Sequence, residues 1–322
     1  MVSSSNKRKK DGELDERIYV SIAKLVRLRY QARGFSFLPK QPIQSLLTGR
    51  KRSKLRGRGL DFIELRGYRP GDDIRTMDWR VTNRTRKPHV RVYAEEKDRP
   101  VMMLIDQRQS MFFGSKWKMK SVIAAELAAV AAWRVLDVGD RVGAVLFNDQ
   151  SVEEYKPSRN MDRLLHLFSR IKKFNHALSI GEKKVPMENA EPVSLKQVLE
   201  VTKRLVGHDY LVVLISDFSG WDTAALSSLK RIARHNDVIA GLVYDPLEAD
   251  ISQASRLVVG DGQYQLEINT KQGGLSERFS EQTKSSFKEL QQELRKHDVP
   301  VLPISTEKPV FEQLRKHLGG GR

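Results

Sequence analysis

Short apolar runs alternate with amphipathic stretches from residue 101 to residue 318. Residues 101–105 and 211–215 are apolar at every position, which is typical of strands covered on both faces. Between the runs, apolar residues recur at helical spacing. The pattern predicts a main domain of α/β class, a doubly wound and mainly parallel sheet with helices on both sides. The predicted strands are 101–106, 141–147, 210–216, 238–244 and 299–304, and the predicted helices are 116–137, 160–172, 194–206, 223–235, 276–297 and 307–318.

The first hundred residues follow a different pattern. Residues 1–13 offer almost nothing to bury and predict a disordered basic tail. Apolar positions at helical spacing between Leu14 and Gly34 predict one amphipathic helix, followed by a linker to residue 45. Its apolar face lacks Trp, which favours docking on the protein's own body over peripheral membrane contact. Residues 46–100 combine Gly and Arg with short β-branched runs, so they predict a small β-rich module.

Composition narrows the class of protein. A chain of 322 residues with 39% hydrophobic content can bury one sizeable core and a smaller appended module. It has no cysteine, which excludes disulfides and thiolate chemistry. No run approaches the 18 or so apolar residues of a membrane span, and no apolar stretch follows the basic start. We therefore expect a cytoplasmic protein.

The net charge of +17 is concentrated in the N-terminal third. Residues 1–100 hold 26 Lys and Arg against 12 Asp and Glu, whereas the other 222 residues hold 31 against 28. Such a field attracts polyanions, including nucleic acid, anionic lipid or an acidic protein. No nucleic-acid-binding motif accompanies the charge, so an acidic partner protein is favoured over nucleic acid.

Two carboxylates stand where predicted strands end. Asp106 closes the strand 101–106, and Asp217 follows the strand 210–216. Open α/β sheets bind ligands outside the carboxyl ends of their strands, so these residues mark the candidate site. Either carboxylate alone could instead cap the helix that follows its strand.

Several short motifs occur in a fixed order: Gly57-Arg58-Gly59-Leu60-Asp61-Phe62, Arg66-Gly67-Tyr68-Arg69-Pro70-Gly71-Asp72-Asp73, Asp78-Trp79-Arg80, Arg84-Thr85-Arg86-Lys87-Pro88 and Asp106-Gln107-Arg108-Gln109-Ser110. On these motifs the chain resembles the domain of unknown function 58 family from about Leu46 to Val243. The second half of that family is similar to a von Willebrand factor A domain. The resemblance implies the doubly wound fold that the hydrophobic pattern also predicts.

The resemblance also implies a metal-ion-dependent adhesion site, which would read Asp-x-Ser-x-Ser. Its ligands here would be Asp106, Ser110 and Asp217, with Ser194 as a guess for the Thr ligand. Arg108 replaces the first hydroxyl, and a guanidinium about 5 Å from a divalent cation costs on the order of 6 kcal/mol. The preferred reading is a metal-free site in which Arg108 forks onto Asp106 or Asp217. A weakened Mg²⁺ site is the alternative.

The turn before the main domain carries both charge signs. Asp72, Asp73 and Asp78 could gather a cation, but interleaved arginines, Arg75 among them, favour a network of ion pairs fixing the module to the main domain. Trp79 is predicted to be an anchoring core residue. The seven histidines form no metal-ligand pair, and neither a phosphate loop nor a nucleophile elbow is present. We therefore expect no enzymatic activity.

The resemblance further implies association with a MoxR-type AAA+ ATPase and an unknown client protein. The leading hypothesis is a non-enzymatic scaffold that presents the Asp106 to Ser110 face to a partner. The candidate partner-binding residues are Arg108, Ser110, Asp217 and the exposed-loop residues Met111, Phe112 and Phe113. One alternative is a basic nucleic-acid-binding protein that uses the tail and the Arg50 to Arg58 run. A weaker one is a metal-dependent hydrolase that uses Asp106 and Asp217.

Overall fold

The structure is a computed structural model that describes residues 15–32, 60–95, 99–179, 191–249, 257–260, 265–268 and 275–318. It divides into two compact units, Gly49–Arg99 on one side and Met1–Thr48 with Pro100–Arg322 on the other. The predicted basic tail, the linker and the Arg50 to Arg58 run lie outside the described residues.

The strands are β1 Leu60–Gly67, β2 His89–Glu95, β3 Val101–Asp106, β4 Val142–Phe147, β5 Val152–Ser158, β6 Leu211–Ser216, β7 Asp237–Tyr244, β8 Leu257–Gly260, β9 Gln265–Ile268 and β10 Val301–Ser305. The α-helices are α1 Ile22–Arg27, α2 Trp79–Thr85, α3 Lys120–Asp137, α4 Met161–His176, α5 Leu195–Leu205, α6 Thr223–Ala233, α7 Pro246–Ala249, α8 Leu275–Arg295 and α9 Val310–Leu318.

The smaller unit is built on an antiparallel pair, β1 with β2. The connection between these strands contains a 3₁₀ turn, Ile74–Thr76, and then helix α2. Asp78 caps α2, because its carboxylate accepts hydrogen bonds from the backbone N–H groups of Arg80 and Val81. The described part of this unit is therefore a hairpin whose long connection contains a short helix.

The larger unit contains a six-stranded sheet in the order β10-β7-β6-β3-β4-β5. Only β5, at one edge, runs antiparallel to its neighbour. Strand order reverses between β3 and β6, which places Asp106 and Asp217 at the same switch point. The sheet is thus doubly wound and mainly parallel, as the hydrophobic pattern predicts.

Alternate residues of the central strands face two separate cores. Met103 and Ile105 pack with α3, α4 and α9 on one side of the sheet. Met102 and Leu104 pack with α5, α6 and the end of α8 on the other. Burial on both faces explains why β3 shows no polar alternation.

The N-terminal segment docks on the larger unit's helices. The Trp133 indole Nε1 donates to the Leu25 carbonyl oxygen at 2.9 Å, and the Val20 N–H donates to Asn175 Oδ1 at 2.8 Å. Leu25 is fully buried. Docking on the protein's own body, which the sequence favoured, is therefore confirmed for this segment.

The predicted N-terminal helix is longer than the helix in the structure. Residues 22–27 are α-helical and a 3₁₀ turn follows, Leu28–Tyr30. Ser21 begins the helix by accepting a hydrogen bond from the Lys24 N–H, so the preceding residues lie outside it. Helix α3 likewise begins at Lys120 and not at residue 116.

Five short elements are absent from the prediction: α2, β5, α7, β8 and β9. Strand β5 has the sequence Val-Glu-Glu-Tyr-Lys-Pro-Ser and is only partly buried. Its charges and proline suit an exposed sheet edge but obscure the alternation of a strand. None of the helices in the described part of the chain is long and apolar enough to cross a membrane.

Candidate functional site

An ion pair between Asp106 and Arg108 fills the end of β3. Arg108 Nη2 lies 2.7 Å from Asp106 Oδ2, and Arg108 Nε donates to the same carboxylate at 3.1 Å. The Arg108 backbone N–H also donates to Asp106 Oδ1 at 2.9 Å. The Arg108 fork onto Asp106 that the sequence predicts is present in the structure. Two residues of extended chain are enough to bring both fork nitrogens onto one carboxylate.

Strand β6 completes the environment of these two side chains. The Ser216 hydroxyl donates to Asp106 Oδ2 at 2.6 Å and accepts a hydrogen bond from the Phe218 N–H. Asp217 Oδ1 lies 3.9 Å from Arg108 Nη2 and accepts a hydrogen bond from the Ser219 N–H. The switch point therefore brings together the two carboxylates that the sequence placed at strand ends.

Lys120 and Glu248 belong to the same cluster, although neither was among the site residues predicted from the sequence. Lys120 Nζ lies 2.9 Å from Asp217 Oδ2 and 2.6 Å from Glu248 Oε1. Lys120 opens α3 and is 2% exposed. A lysine next to the apolar residues of α3 was a sequence signal that could have indicated a buried, paired cation. Its partners, 97 and 128 residues away, had no local signature.

Burial and the paired charges act in opposite directions on the pKa values. Complete burial raises the pKa of Asp106, and Arg108 opposes that shift. Burial also opposes ionisation of Asp217, but Lys120 and the Ser219 N–H hold its pKa below its usual value. The two carboxylates bracketing Lys120 overcome its desolvation and raise its pKa. Lys120 and Asp217 are therefore a charged pair at neutral pH.

The arrangement does not fit a magnesium ion. Mg²⁺ requires close, nearly octahedral oxygen ligands. Arg108 Nη2 stands between the two carboxylates that would supply them, 2.7 Å from Asp106 and 3.9 Å from Asp217. Among the described residues, no group of three or more His, Asp or Glu side chains could hold a metal ion.

The two serines proposed as ligands have different surroundings. Ser110 Oγ is buried and has no hydrogen-bond partner. The Ser194 hydroxyl instead accepts from the Gln197 N–H, and the Gln197 side chain accepts from the Ser194 N–H. Ser194 is thus the N-terminal residue of a capping box on α5. Of these two serines, Ser194 has a hydrogen-bonded hydroxyl and Ser110 does not.

The predicted partner-binding face is only partly exposed. Met111 is fully buried, so its prediction as an exposed-loop residue is wrong, and Arg108 is only 7% exposed. Arg108 uses its fork on Asp106 and does not offer it to a partner. Phe112 and Phe113 are half-buried. Phe112 and Phe113 are therefore the apolar residues of the predicted face that remain partly exposed.

The turn of the smaller unit holds two local ion pairs. Arg66 forks onto Asp72 with distances of 2.7 and 2.8 Å, and Arg91 Nη2 lies 2.9 Å from Asp78. Asp73 accepts a hydrogen bond from the Arg75 backbone N–H, which begins the 3₁₀ turn. Asp72 and Asp78 are therefore paired within this unit. That such pairs fix the module to the main domain stays a prediction.

Trp79 is not a core residue. Its side chain is 61% exposed, which contradicts the prediction that it anchors the module. The connection that carries it consists of a 3₁₀ turn and a seven-residue helix with no buried side chain. A segment of this size has too little interior to enclose an indole.

The protein is of the doubly wound α/β class, and a closed cluster of ion pairs occupies the switch point of its sheet. The chain belongs to the family described as protein of unknown function DUF58, whose family model matches residues 64–289. Uncharacterized proteins of Mycobacterium tuberculosis and Mycobacterium bovis are 27% identical to it over 227 residues, which cover 70% of this chain and 67% of theirs.

Two solved structures are similar to this chain at low identity. BatB from Bacteroides thetaiotaomicron has a TM-score of 0.37 and 14% identity, covering 67% of this chain and 97% of its own. An aerotolerance-related membrane protein from Bacteroides fragilis has a TM-score of 0.40 and 16% identity, covering 68% of this chain and 96% of its own.

Calorimetric titration of the wild-type protein with Mg²⁺ or Mn²⁺ is expected to show no binding tighter than about 100 μM, a free energy near 5.5 kcal/mol. Arg108→Ser should open the position between the carboxylates. Mg²⁺ at about tenfold its Kd should then raise the melting temperature of that variant by roughly 3–5 °C. Lys120 remains on Asp217 and limits the gain.

Arg170→Ser is the matched control, because it breaks an ion pair with Glu153 on the edge strand β5 and leaves the ion pairs of Asp106 and Asp217 in place. Mg²⁺ should leave its melting temperature unchanged. Wild-type binding tighter than about 100 μM would show that Arg108 leaves the metal position.

Proposed function

We propose that the protein is a non-enzymatic interaction scaffold. The observation that carries this proposal is the closed cluster at the switch point, where sheets of this class bind their ligands. Asp106, Asp217 and Glu248 are each paired with Arg108 or Lys120. A catalytic carboxylate must reach the proton that it transfers, whereas these carboxylates are held by internal cations. The chemistry of the site supports a structural role for its charges.

We further propose that a MoxR-type AAA+ ATPase is the partner, with cytoplasmic location and a client protein of unknown identity. Membership of the DUF58 family and the order of its motifs support this choice. The scaffold would resemble a von Willebrand factor A domain in which an internal arginine replaces the metal. Binding through this edge of the sheet then depends on side chains other than Arg108.

Phe112 and Phe113 are the proposed anchors for the ATPase. They follow the 3₁₀ turn Gln109–Met111 and lie beside the ion-pair cluster. The Phe113 ring centroid is 5.9 Å from Lys120 Nζ, and the Phe112 and Tyr19 ring centroids are also 5.9 Å apart. Half-buried aromatic side chains can supply the buried centre of an interface at little conformational cost.

A purified MoxR-type AAA+ ATPase is expected to bind the immobilised full-length chain in biolayer interferometry, either with ATP or without it. Phe112→Ala/Phe113→Ala should weaken binding at least about tenfold, since hot-spot truncations cost more than about 1 kcal/mol. Leu165→Ala is the control, because Leu165 is 37% exposed on α4. Melting temperatures identify any loss of fold. An ATPase that binds in neither nucleotide state would contradict the proposed partner.

A further inference from the structure

The smaller unit exposes apolar side chains in a stretch of the chain that is rich in cations. Trp79 and Ile74 are 61% and 60% exposed, and Leu65 is 38% exposed. Ile74 lies in the 3₁₀ turn and Trp79 begins α2, five residues later. A Trp is rarely so exposed, and an exposed apolar group of this kind marks an interaction surface.

The carboxylates of this unit do not neutralise its cations. Residues 65–91 contain eight Lys and Arg but three Asp. Asp72 pairs with Arg66, Asp78 pairs with Arg91, and Asp73 caps the 3₁₀ turn. Six exposed cations in residues 65–91 form no ion pair with the described residues, and together with Leu65, Ile74 and Trp79 they define a basic–apolar surface: Arg69, Arg75, Arg80, Arg84, Arg86 and Lys87.

The chemistry of this surface suits phosphate groups. Arginine forks bind phosphate oxygens through two parallel N–H donors, and five of the six cations are arginines. Nucleic acid and anionic lipid both carry phosphates. Single strands are held by stacking successive bases on several aromatic rings, but Trp79 is the one exposed aromatic side chain in residues 65–91. Exposed Ile74 and Leu65 offer a base no stacking surface.

A lipid bilayer uses every part of the surface. Headgroup phosphates attract each cation separately and require no matching shape. Indole rings prefer the boundary between headgroups and acyl chains, and aliphatic side chains reach the acyl region. A protein partner would require an apolar centre within a standard interface of about 800 Å² on each side, whereas here cations outnumber the exposed apolar side chains two to one.

We propose that the basic–apolar surface binds the anionic face of a lipid bilayer. The arginines contact headgroup phosphates, and Trp79 and Ile74 enter the interface. The contact is peripheral and reversible, because it uses a small unit of the fold and no spanning segment. This binding is independent of the ATPase proposed above.

Flotation of the full-length protein with vesicles tests the proposal. The protein is expected to float with vesicles of equal parts phosphatidylglycerol and phosphatidylcholine, and to remain behind with phosphatidylcholine alone. Raising the salt from 0.15 to 0.5 M should release most of it, because screening shortens the range of the attraction. Trp emission should be quenched by brominated phosphatidylglycerol in the wild type, and much less in Trp79→Phe.

Variants locate the contact on the molecule. Arg80→Glu/Arg84→Glu should lower the partition coefficient by at least about 30-fold, from about 1 kcal/mol for each cation removed. These residues lie four apart on α2, and their mutual repulsion is the same before and after reversal. Arg163→Glu/Lys196→Glu changes the net charge equally at exposed positions in α4 and α5 and should retain binding. Trp79→Ser should weaken binding roughly tenfold or more.

Three results would overturn the proposal. The first is that the protein does not float with vesicles that contain phosphatidylglycerol. The second is that both charge-reversal pairs lower flotation equally. The third is tighter binding of a 20-nucleotide single-stranded RNA than of vesicles, lost in Arg80→Glu/Arg84→Glu, which would assign the surface to nucleic acid. Circular dichroism of each variant checks the fold. None of these results depends on the ATPase, so this proposal and the proposed function can fail separately.

Discussion

Arg108→Glu is expected to lower the free energy of unfolding by about 3–5 kcal/mol. The change replaces a buried guanidinium with a carboxylate next to Asp106, which is fully buried, and near Asp217. Four carboxylates, those of Asp106, Asp217, Glu248 and the introduced side chain, would then share one cation, Lys120, at the switch point. Breaking a buried pair while adding a like charge combines two of the largest single-residue penalties.

Guanidinium chloride titration of three variants separates those penalties. Arg108→Met removes the cation without adding a charge and should cost less than Arg108→Glu. Arg108→Lys retains a cation but loses the fork, and should cost least. Equal stability of Arg108→Glu and the wild type would contradict the ion-pair cluster. Weak ATPase binding by an unfolded Arg108→Glu would carry no information about the interface.

Trp133→Ala is expected to cost about 3–5 kcal/mol, as large-to-small changes at fully enclosed aromatic residues do. Trp133 is 2% exposed, and its ring packs edge-on against Phe168 with centroids 5.6 Å apart. It also contacts the N-terminal segment, through the hydrogen bond to the Leu25 carbonyl and the Arg29 guanidinium 5.2 Å from the ring centroid. Loss of the indole should therefore release residues 15–32.

Limited trypsin digestion measures that release. Cleavage at Arg27 and Arg29 should accelerate in Trp133→Ala well below its melting temperature. Trp133→Phe keeps most of the volume but leaves the Leu25 carbonyl without its donor, and should show a smaller effect. Leu165→Ala, on the exposed side of α4, should resemble the wild type. Unchanged cleavage in Trp133→Ala would show that other contacts hold the segment.

The central sheet was predictable because burial leaves a direct record in the sequence. Strands β3 and β6 are apolar on both faces, so their five-residue runs stand out. Strand β5 is exposed at the edge, and its alternation is masked by Glu153, Glu154 and Lys156. The strands that lie deepest are therefore the ones that sequence patterns identify best.

The site was predictable only where its partners are close in sequence. Arg108 lies two residues from Asp106, so a fork onto that carboxylate follows from chain geometry. Lys120, Asp217 and Glu248 come from three elements, and only the sheet order brings them together. Trp79 shows the opposite error, because it was predicted to be an anchoring core residue, whereas the short connection that carries it leaves the indole exposed.

The docking of residues 15–32 also has a consequence for synthesis on the ribosome. Val20 is held by Asn175, and the Tyr19 hydroxyl donates to the Leu178 carbonyl, 159 residues further along the chain. At about 5–20 residues per second, the segment waits roughly 8–30 s for these partners to be made. Throughout that interval the apolar side of α1 is available to chaperones, and the nascent chain cannot close its first core until α4 has emerged.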